Sequence, residues 1–116
     1  MLWHKLTDIS QLQSIINLSK EQSANGLTVL IFKHSTRCSI SSMALNRLEN
    51  KWIDNEKIPT YYLDLLNHRA ISNEIADRFS IEHASPQVLL IKNGTCIYNA
   101  SHTNISASDI LEASKS

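Results

Sequence analysis

The chain has few of the residues that mark unusual folds: two cysteines, two glycines and two prolines among 116 residues. So few glycines and prolines argue against disorder, and a hydrophobic fraction of 42% is enough for a packed core. Long apolar runs are absent as well, since the best one, residues 29–32, has only the length of a strand. We therefore expect one domain over residues 1–116 in a reducing cytoplasm, without a signal peptide or a membrane span.

An excess of charge of one sign is also absent. Lysine plus arginine and aspartate plus glutamate number 11 each, and the formal net charge is zero. Nucleic acids and anionic membranes attract proteins through a basic field, which this balance does not supply. We expect neither nucleic acid nor a membrane as a partner.

The two cysteines, Cys38 and Cys96, lie far apart in the sequence. Neither belongs to a C-x-x-C pair, and neither has a second cysteine or a histidine at zinc-finger spacing. The sequence therefore predicts no metal site, and a structural disulfide is not expected in a reducing compartment. Whether either thiol is reactive depends on its position in the fold.

Hydrophobic spacing and turn residues predict helices that alternate with strands. In order, we predict a minor strand at 3–6, a helix capped by Asp8 and stopped at Asn25-Gly26, a strand at 27–32, a helix from about Cys38, a strand at 61–66, a helix capped by Asn67, a hairpin at 87–98 turning at Asn93-Gly94, and a short helix capped by Ser106. This order predicts an α/β fold of the thioredoxin type, in which a mixed central sheet is flanked by helices and closes with a β-hairpin and a C-terminal helix.

Cys38 stands where the most apolar strand hands over to a helix. The free backbone N–H groups and the positive dipole end of a helix start favour a thiolate there. Arg37 adds a cation next to the sulfur, and Lys33 and His34 are further candidate cations. A buried, inert cysteine is the alternative, but the polar neighbours Arg37 and Ser39 do not fit an apolar core pattern.

Ser41 occupies the position at which a dithiol enzyme carries its second cysteine. A hydroxyl can hydrogen-bond a thiolate, but it cannot attack a mixed disulfide. The chemistry predicted for Cys38 is therefore monothiol exchange: the thiolate attacks a disulfide, keeps one half of it, and needs an external thiol for release.

Ser85-Pro86 precedes the first strand of the predicted hairpin. X-Pro bonds are the only ones with an appreciable cis population, and thioredoxin-type folds place a cis proline here beside the active thiol. A trans proline that starts a strand is the alternative. The predicted topology favours the cis form.

Other polar residues are weaker candidates for the site. Cys96, between Thr95 and Ile97 in the second hairpin strand, is either a small, partly buried strand residue or a resolving thiol, and the first interpretation is favoured because it is the commoner fate of a cysteine. His34 and His102 are candidate thiol neighbours or anion contacts, and His83 lies close enough to Pro86 in sequence to line the site. Surface or capping roles are the alternative for each histidine.

Several segments of the chain resemble the monothiol bacilliredoxin family. They are F-K-H-S-T-R-C-S-I-S at 32–41, P-T-Y-Y-L at 59–63, I-S-N-E-I-A at 71–76, H-A-S-P-Q at 83–87 and S-H-T-N-I at 101–105. The resemblance implies a thioredoxin-like fold with Cys38 as the catalytic thiol. It also implies exchange with bacillithiol, the small thiol that some bacteria use in place of glutathione.

On this resemblance, Cys38 removes bacillithiol from oxidised cytosolic proteins, with bacillithiol as a co-substrate and no tightly bound cofactor. The residues expected to bind the substrate or the thiol are Thr36, Arg37, Ser39, Ser41, Ser85 and Pro86. The carboxylates of the malate portion of bacillithiol would suit Arg37 and the positive helix end.

The chain departs from the family pattern at two positions. Ser39 stands where the family commonly has proline, which leaves an extra backbone N–H near the sulfur. Thr103 stands where a tryptophan is common, which bears on substrate preference more than on thiol exchange. A non-catalytic adaptor or a redox sensor that binds a partner at the Cys38/Pro86 edge is the alternative to an enzyme.

Overall fold

The computed structural model describes residues 1–20, 28–52 and 58–115. The elements are β1 Trp3–Lys5, α1 Ser10–Ser19, β2 Val29–His34, α2 Ser39–Lys51, β3 Thr60–Asp64, α3 Arg69–Phe79, β4 Gln87–Lys92, β5 Thr95–Ser101, a 3₁₀ turn at His102–Asn104 and α4 Ala107–Ser114. The predicted order of helices and strands is confirmed. The predicted stop of the first helix at Asn25-Gly26 lies outside the described residues. No helix in the described ranges has the length and apolar character needed to cross a membrane.

Five strands form one mixed sheet in the order β1-β3-β2-β4-β5. β1, β3 and β2 run parallel, whereas β4 is antiparallel to β2, and β5 is antiparallel to β4. β2 therefore lies in the middle of the sheet with a strand on each side, and all six of its residues are buried. This position explains its continuous apolar run, since side chains on both faces of a central strand are covered by helices.

The sheet separates two hydrophobic cores. On one face, Ile31 and Leu89 pack against Leu12 and Ile15 of α1 and Ile75 of α3. The other face carries a second cluster, which consists of Leu30, Phe32, Val88 and Leu90 from the sheet, Ala44 and Leu48 from α2, and Ala107 and Ile110 from α4. Successive side chains of a strand point to opposite faces, so neighbouring residues of β2 belong to different cores.

Several element ends differ from the prediction. β2 continues through Lys33 and His34, beyond the predicted end at residue 32, because both side chains are buried and hydrogen-bonded. The sequence does not show these contacts, and two polar residues after an apolar run are typical of a loop. β3 ends at Asp64, whose carbonyl accepts hydrogen bonds from the N–H groups of Asn67 and His68 and turns the chain. The cap position of α3 is therefore His68, and the prediction of Asn67 as the cap is wrong.

The hairpin and the last helix form as predicted. Asn93 and Gly94 have φ angles of 54° and 77°, the left-handed pair that a two-residue turn of this kind requires. Ser106 caps α4 by accepting a hydrogen bond from the N–H of Asp109 at 3.4 Å. At α1 the predicted cap Asp8 lies just outside the helix, where its Oδ1 accepts from the N–H of Ser10 at 2.9 Å.

Candidate active site

Cys38 occupies the N-cap position of α2, in the connection that follows the end of β2. Its backbone is extended, with φ −108° and ψ 121°, and its carbonyl accepts the first helical hydrogen bond from the N–H of Ser42 at 3.1 Å. Its own N–H donates to the carbonyl of Ser35 at 3.2 Å, which closes a tight turn before the helix. The side chain is half-buried, so the sulfur is supported by the fold and still reachable.

The N-cap position gives the sulfur its chemical setting. An N-cap side chain is the acceptor that faces the backbone N–H groups of the second and third helical residues, here Ile40 and Ser41. The Cys38 side chain makes no cap hydrogen bond as a thiol. The sulfur therefore lies at the end of α2 where the backbone N–H groups without a helical partner and the positive end of the helix dipole are located.

The segment Ser85-Pro86 lies at the same edge of the sheet as Cys38. Gln87, the next residue, pairs with Lys33 near the end of β2, so the chain enters β4 where it leaves β2. The Ser85-Pro86 peptide bond is cis, as predicted. Pro86 is buried, and its carbonyl accepts a hydrogen bond from the N–H of His102 at 3.0 Å. The turn after β5 is thereby tied to this edge.

Helix α2 is attached to that same turn. Both Nε and Nη2 of Arg47 donate to the carbonyl of Ile105, at 3.3 and 3.0 Å. Thr103, one of the two departures from the family pattern, is exposed in the 3₁₀ turn between β5 and this contact. Helix α2, the Ser85-Pro86 segment and the 3₁₀ turn are thus linked by these hydrogen bonds.

Ser41 lies underneath the turn that carries Cys38. It is fully buried; its Oγ accepts from the N–H of Ser35 at 3.0 Å and lies 2.7 Å from Nδ1 of His34. Burial lowers the pKa of His34, although the carboxylates of Asp64 and Glu49 oppose this shift. The imidazole is therefore neutral at pH 7, and its Nδ1 and the Ser41 hydroxyl share one hydrogen bond. Ser41 thus supports the turn that carries Cys38.

The prediction that Lys33 and His34 add positive charge beside Cys38 is wrong. His34 is 4% exposed and neutral. Lys33 points to the opposite face of the sheet, where its Nζ donates to the carbonyl of Ser72 at 3.1 Å. The reason is the alternation of a strand, which sends the two neighbours to different cores. Arg37 is left as the cation next to Cys38 in sequence.

The outer rim of the site is exposed. Thr36 and Arg37 lie in the turn before the helix, and Ser39 is its first residue; all three are exposed. Ile40 is 46% exposed, whereas Ser41 takes the buried position of the first turn. The rim therefore combines a cation and hydroxyls with an apolar side chain.

Ser85 contributes a buried Oγ that has no hydrogen-bond partner among the described residues. Buried hydroxyls are nearly always hydrogen-bonded, so an unpaired one at the edge that carries the thiol calls for a functional explanation. Ser85 was among the predicted binding residues, but its unpaired state could not be foreseen from the sequence.

Cys96 lies at the other end of the sheet. It pairs with Ile91, which in turn pairs with Val29, whereas Cys38 follows the opposite end of β2. The four steps along the strand from Val29 to Lys33 already span about 13 Å at about 3.3 Å per residue. The thiol of Cys96 donates to the carbonyl of Tyr98 at 3.2 Å, and burial raises the pKa of Cys96. This placement favours the interpretation of Cys96 as a strand residue.

No group of three or more His, Cys, Asp or Glu residues in the ranges 1–20, 28–52 and 58–115 is arranged to hold a metal ion.

One cluster was missed by the sequence reasoning, namely Lys33 with Ser72 and His83. The sequence feature that could have indicated this cluster is the position of Lys33 directly after the apolar run of β2.

Comparison with solved structures defines the class of protein. A thioredoxin-fold protein proposed to be an oxidoreductase is 31% identical over 94% of this chain and 90% of its own, with a TM-score of 0.78. Thioredoxins of Malassezia sympodialis and Fasciola hepatica share the fold at 18% and 17% identity and TM-scores of 0.72 and 0.70. They cover 98% and 96% of this chain and 89% and 95% of their own. The protein therefore has a thioredoxin fold, and the first of these neighbours supports a thiol oxidoreductase activity.

The family is shown by a second comparison. The family model of the monothiol bacilliredoxin BrxC matches residues 4–110, which is nearly the whole chain. The protein belongs to the monothiol bacilliredoxin family.

Proposed function

We propose that this protein is a monothiol thiol–disulfide oxidoreductase that removes bacillithiol from S-thiolated proteins through Cys38. The observation that carries the proposal is a half-buried thiol at a helix N-cap with no second thiol in reach. Ser41 fills the place of a resolving cysteine, and Cys96 lies at the far end of the sheet.

The exchange proceeds in two balanced steps. In the first, the Cys38 thiolate attacks the bacillithiol sulfur of a protein–bacillithiol disulfide; a Cys38–bacillithiol bond forms, the old S–S bond breaks, and the protein thiolate leaves and takes a proton from water. In the second, the thiolate of an external thiol attacks the Cys38–bacillithiol disulfide. A new disulfide between the external thiol and bacillithiol leaves, and the Cys38 thiolate is restored at the N-cap.

The rim of the site supports substrate binding. The guanidinium of Arg37 suits a carboxylate of the malate portion of bacillithiol, and Thr36 and Ser39 offer exposed hydroxyls. Each turnover needs one external thiol to release bacillithiol from Cys38, so we place the reaction in a reducing compartment, the bacterial cytoplasm.

Intact-mass measurement after incubation with bacillithiol disulfide tests the proposal. We expect one bacillithiol adduct, located on Cys38, that is removed by added bacillithiol. Cys96→Ser should form the adduct at the wild-type rate, whereas Cys38→Ser should form none. A reduced wild-type protein that forms no adduct would refute the exchange, and a Cys38→Ser variant with full activity would favour the adaptor alternative.

A further inference from the structure

Lys33 is a buried cation. It is completely inaccessible to solvent, and its Nζ contacts the carbonyl of Ser72 at 3.1 Å and Nδ1 of His83 at 3.2 Å. No carboxylate among the described residues lies within ion-pair distance of it. Burying a charge is costly, and buried charges are normally paired. The positive charge of Lys33 is therefore available to stabilise an anion that binds nearby.

His83 lies between the ammonium group of Lys33 and the protein surface. The Lys33 ammonium can only donate, so Nδ1 of His83 accepts, and the hydroxyl of Ser72 lies 3.2 Å from the same nitrogen. Burial and the positive charges of Lys33 and Arg69 lower the pKa of His83. The ring is therefore neutral with its proton on Nε2. Because His83 is exposed and Nδ1 faces inward, this N–H donor is directed outward.

A polar cavity of about 400 Å³ adjoins the ring. Its polar lining comes from Ser80, Glu82, His83, Gln87, Asn99 and Ser101. The side chain of Gln87 is engaged within the loop, since it donates to the carbonyl of Glu82 at 3.0 Å and accepts from the N–H of Ala84 at 3.4 Å. Glu82 is the one acidic residue of the lining, and it is exposed. The ring N–H, the Asn99 amide and the hydroxyls of Ser80 and Ser101 are left as donors.

We propose that the cavity beside His83 is a carboxylate-binding subsite, in which His83 donates to the anion and Lys33 supplies the charge behind it. The subsite lies at the edge of the sheet that carries Cys38, because Gln87 pairs with Lys33 and directly follows Pro86. Its ligand is a carboxylate of the disulfide substrate, carried by the small thiol or by an acidic side chain of the protein. This inference rests on the proposed function and deepens it.

Binding is tested with L-malate, and its uncharged diamide is the control ligand. We expect malate to shift the imidazole NMR signals of His83 in a saturable manner, while the diamide leaves them unchanged. Lys33→Met, which keeps the length and loses the charge, should weaken malate binding about tenfold, the effect of one lost interaction with a charged group. His4→Ala, on the edge strand β1 far from the cavity, should bind malate like the wild type. No malate shift at His83, or an equal response to the diamide, would overturn the proposal.

Exchange kinetics identify the source of the carboxylate. One peptide is prepared as three mixed disulfides: with bacillithiol, with 2-mercaptoethanol, and with 2-mercaptoethanol beside an added aspartate. His83→Ala should slow Cys38 exchange on the first or the third substrate by about tenfold relative to the second. Equal loss on all three substrates, or no loss on any, would refute the subsite. Failure of the wild type on the bacillithiol substrate alone would refute the proposed function, while the malate measurement would still decide the subsite.

Discussion

Two neighbouring basic residues at the end of β2 lie on opposite faces of the sheet, and their surroundings differ. His34, on the α2 face, is buried with Ser41 and neutral, so the turn that carries Cys38 rests on an uncharged hydrogen-bond network. Lys33, on the α1/α3 face, is buried with Ser72 and His83. The pKa of Lys33 is lowered to about 8 by burial, which leaves it mostly protonated at pH 7. One strand thus places two different groups at the same edge of the sheet. His34 supports the turn that carries Cys38 on one face, and Lys33 provides a buried cation on the other face.

The largest expected effect belongs to the α2 face, where the reactive thiol stands. We expect Cys38→Ser to lower the release of bacillithiol from a modified protein to the uncatalysed rate, because no other thiol lies at this edge. Cys96→Ser is the matched control and should keep the wild-type rate, as measured by release of free protein thiol. Equal losses in both variants would contradict the assignment of the two thiols.

The next effect concerns the α1/α3 face and is a pH dependence of stability. The Lys33 pKa is about 8 in the folded protein against an ordinary 10.5, so the unfolded chain binds more protons between these values. The free energy of unfolding contributed by this residue therefore rises with pH across that window, by about 2–3 kcal/mol. Lys33→Met should lose this rise, which urea unfolding of both proteins at pH 7 and pH 10 would measure. A difference between the two proteins that is independent of pH would contradict the burial of the charge.

A smaller effect is expected from the support of the turn. Ser41→Ala leaves the N–H of Ser35 and Nδ1 of His34 without their partner, so we expect it to reduce the free energy of unfolding by about 1–3 kcal/mol. Ser39→Ala removes an exposed hydroxyl two residues earlier and should change stability by less than about 0.5 kcal/mol. Urea unfolding distinguishes them, and equal stability of the two variants would show that the network contributes nothing.

The smallest effect is expected at the rim of the α2 face. Arg37→Ala should slow exchange with bacillithiol by up to about fivefold, the range of an exposed charge pair, and leave exchange with a neutral thiol unchanged. Lys51→Ala, at the other end of α2, is the control for net charge. Equal slowing with both thiols would mean that Arg37 acts on the sulfur rather than on a carboxylate.

Much of the fold could be predicted because its signals are local. The apolar run ending at Phe32 and the Asn93-Gly94 turn each specify their own element through backbone and side-chain preferences of adjacent residues. The misplaced ends have a common cause. Lys33 and His34 look like loop residues until their partners Ser72, His83 and Ser41 are known, and those contacts are made by other elements.

The site divides in the same way. The position of Cys38 at a helix start could be predicted from the strand before it and the helical spacing after it. The exposure of Ile40 and the burial of Ser41 could not, since both residues fit the helix and only packing decides which faces the sheet.

By itself the sequence determined that this is a monothiol protein, because the absence of a C-x-x-C pair is a property of the letters alone. It also determined the order of the elements and, through it, the edge of the sheet at which Cys38 and Pro86 both lie. The tertiary structure decided which polar groups are buried and with whom: Ser41 with His34, Lys33 with His83, and the Ser85 hydroxyl without a partner among the described residues. Burial and hydrogen bonding between distant residues exist only after the helices cover the sheet. The protonation states of His34, Lys33 and His83 therefore depend on the tertiary structure.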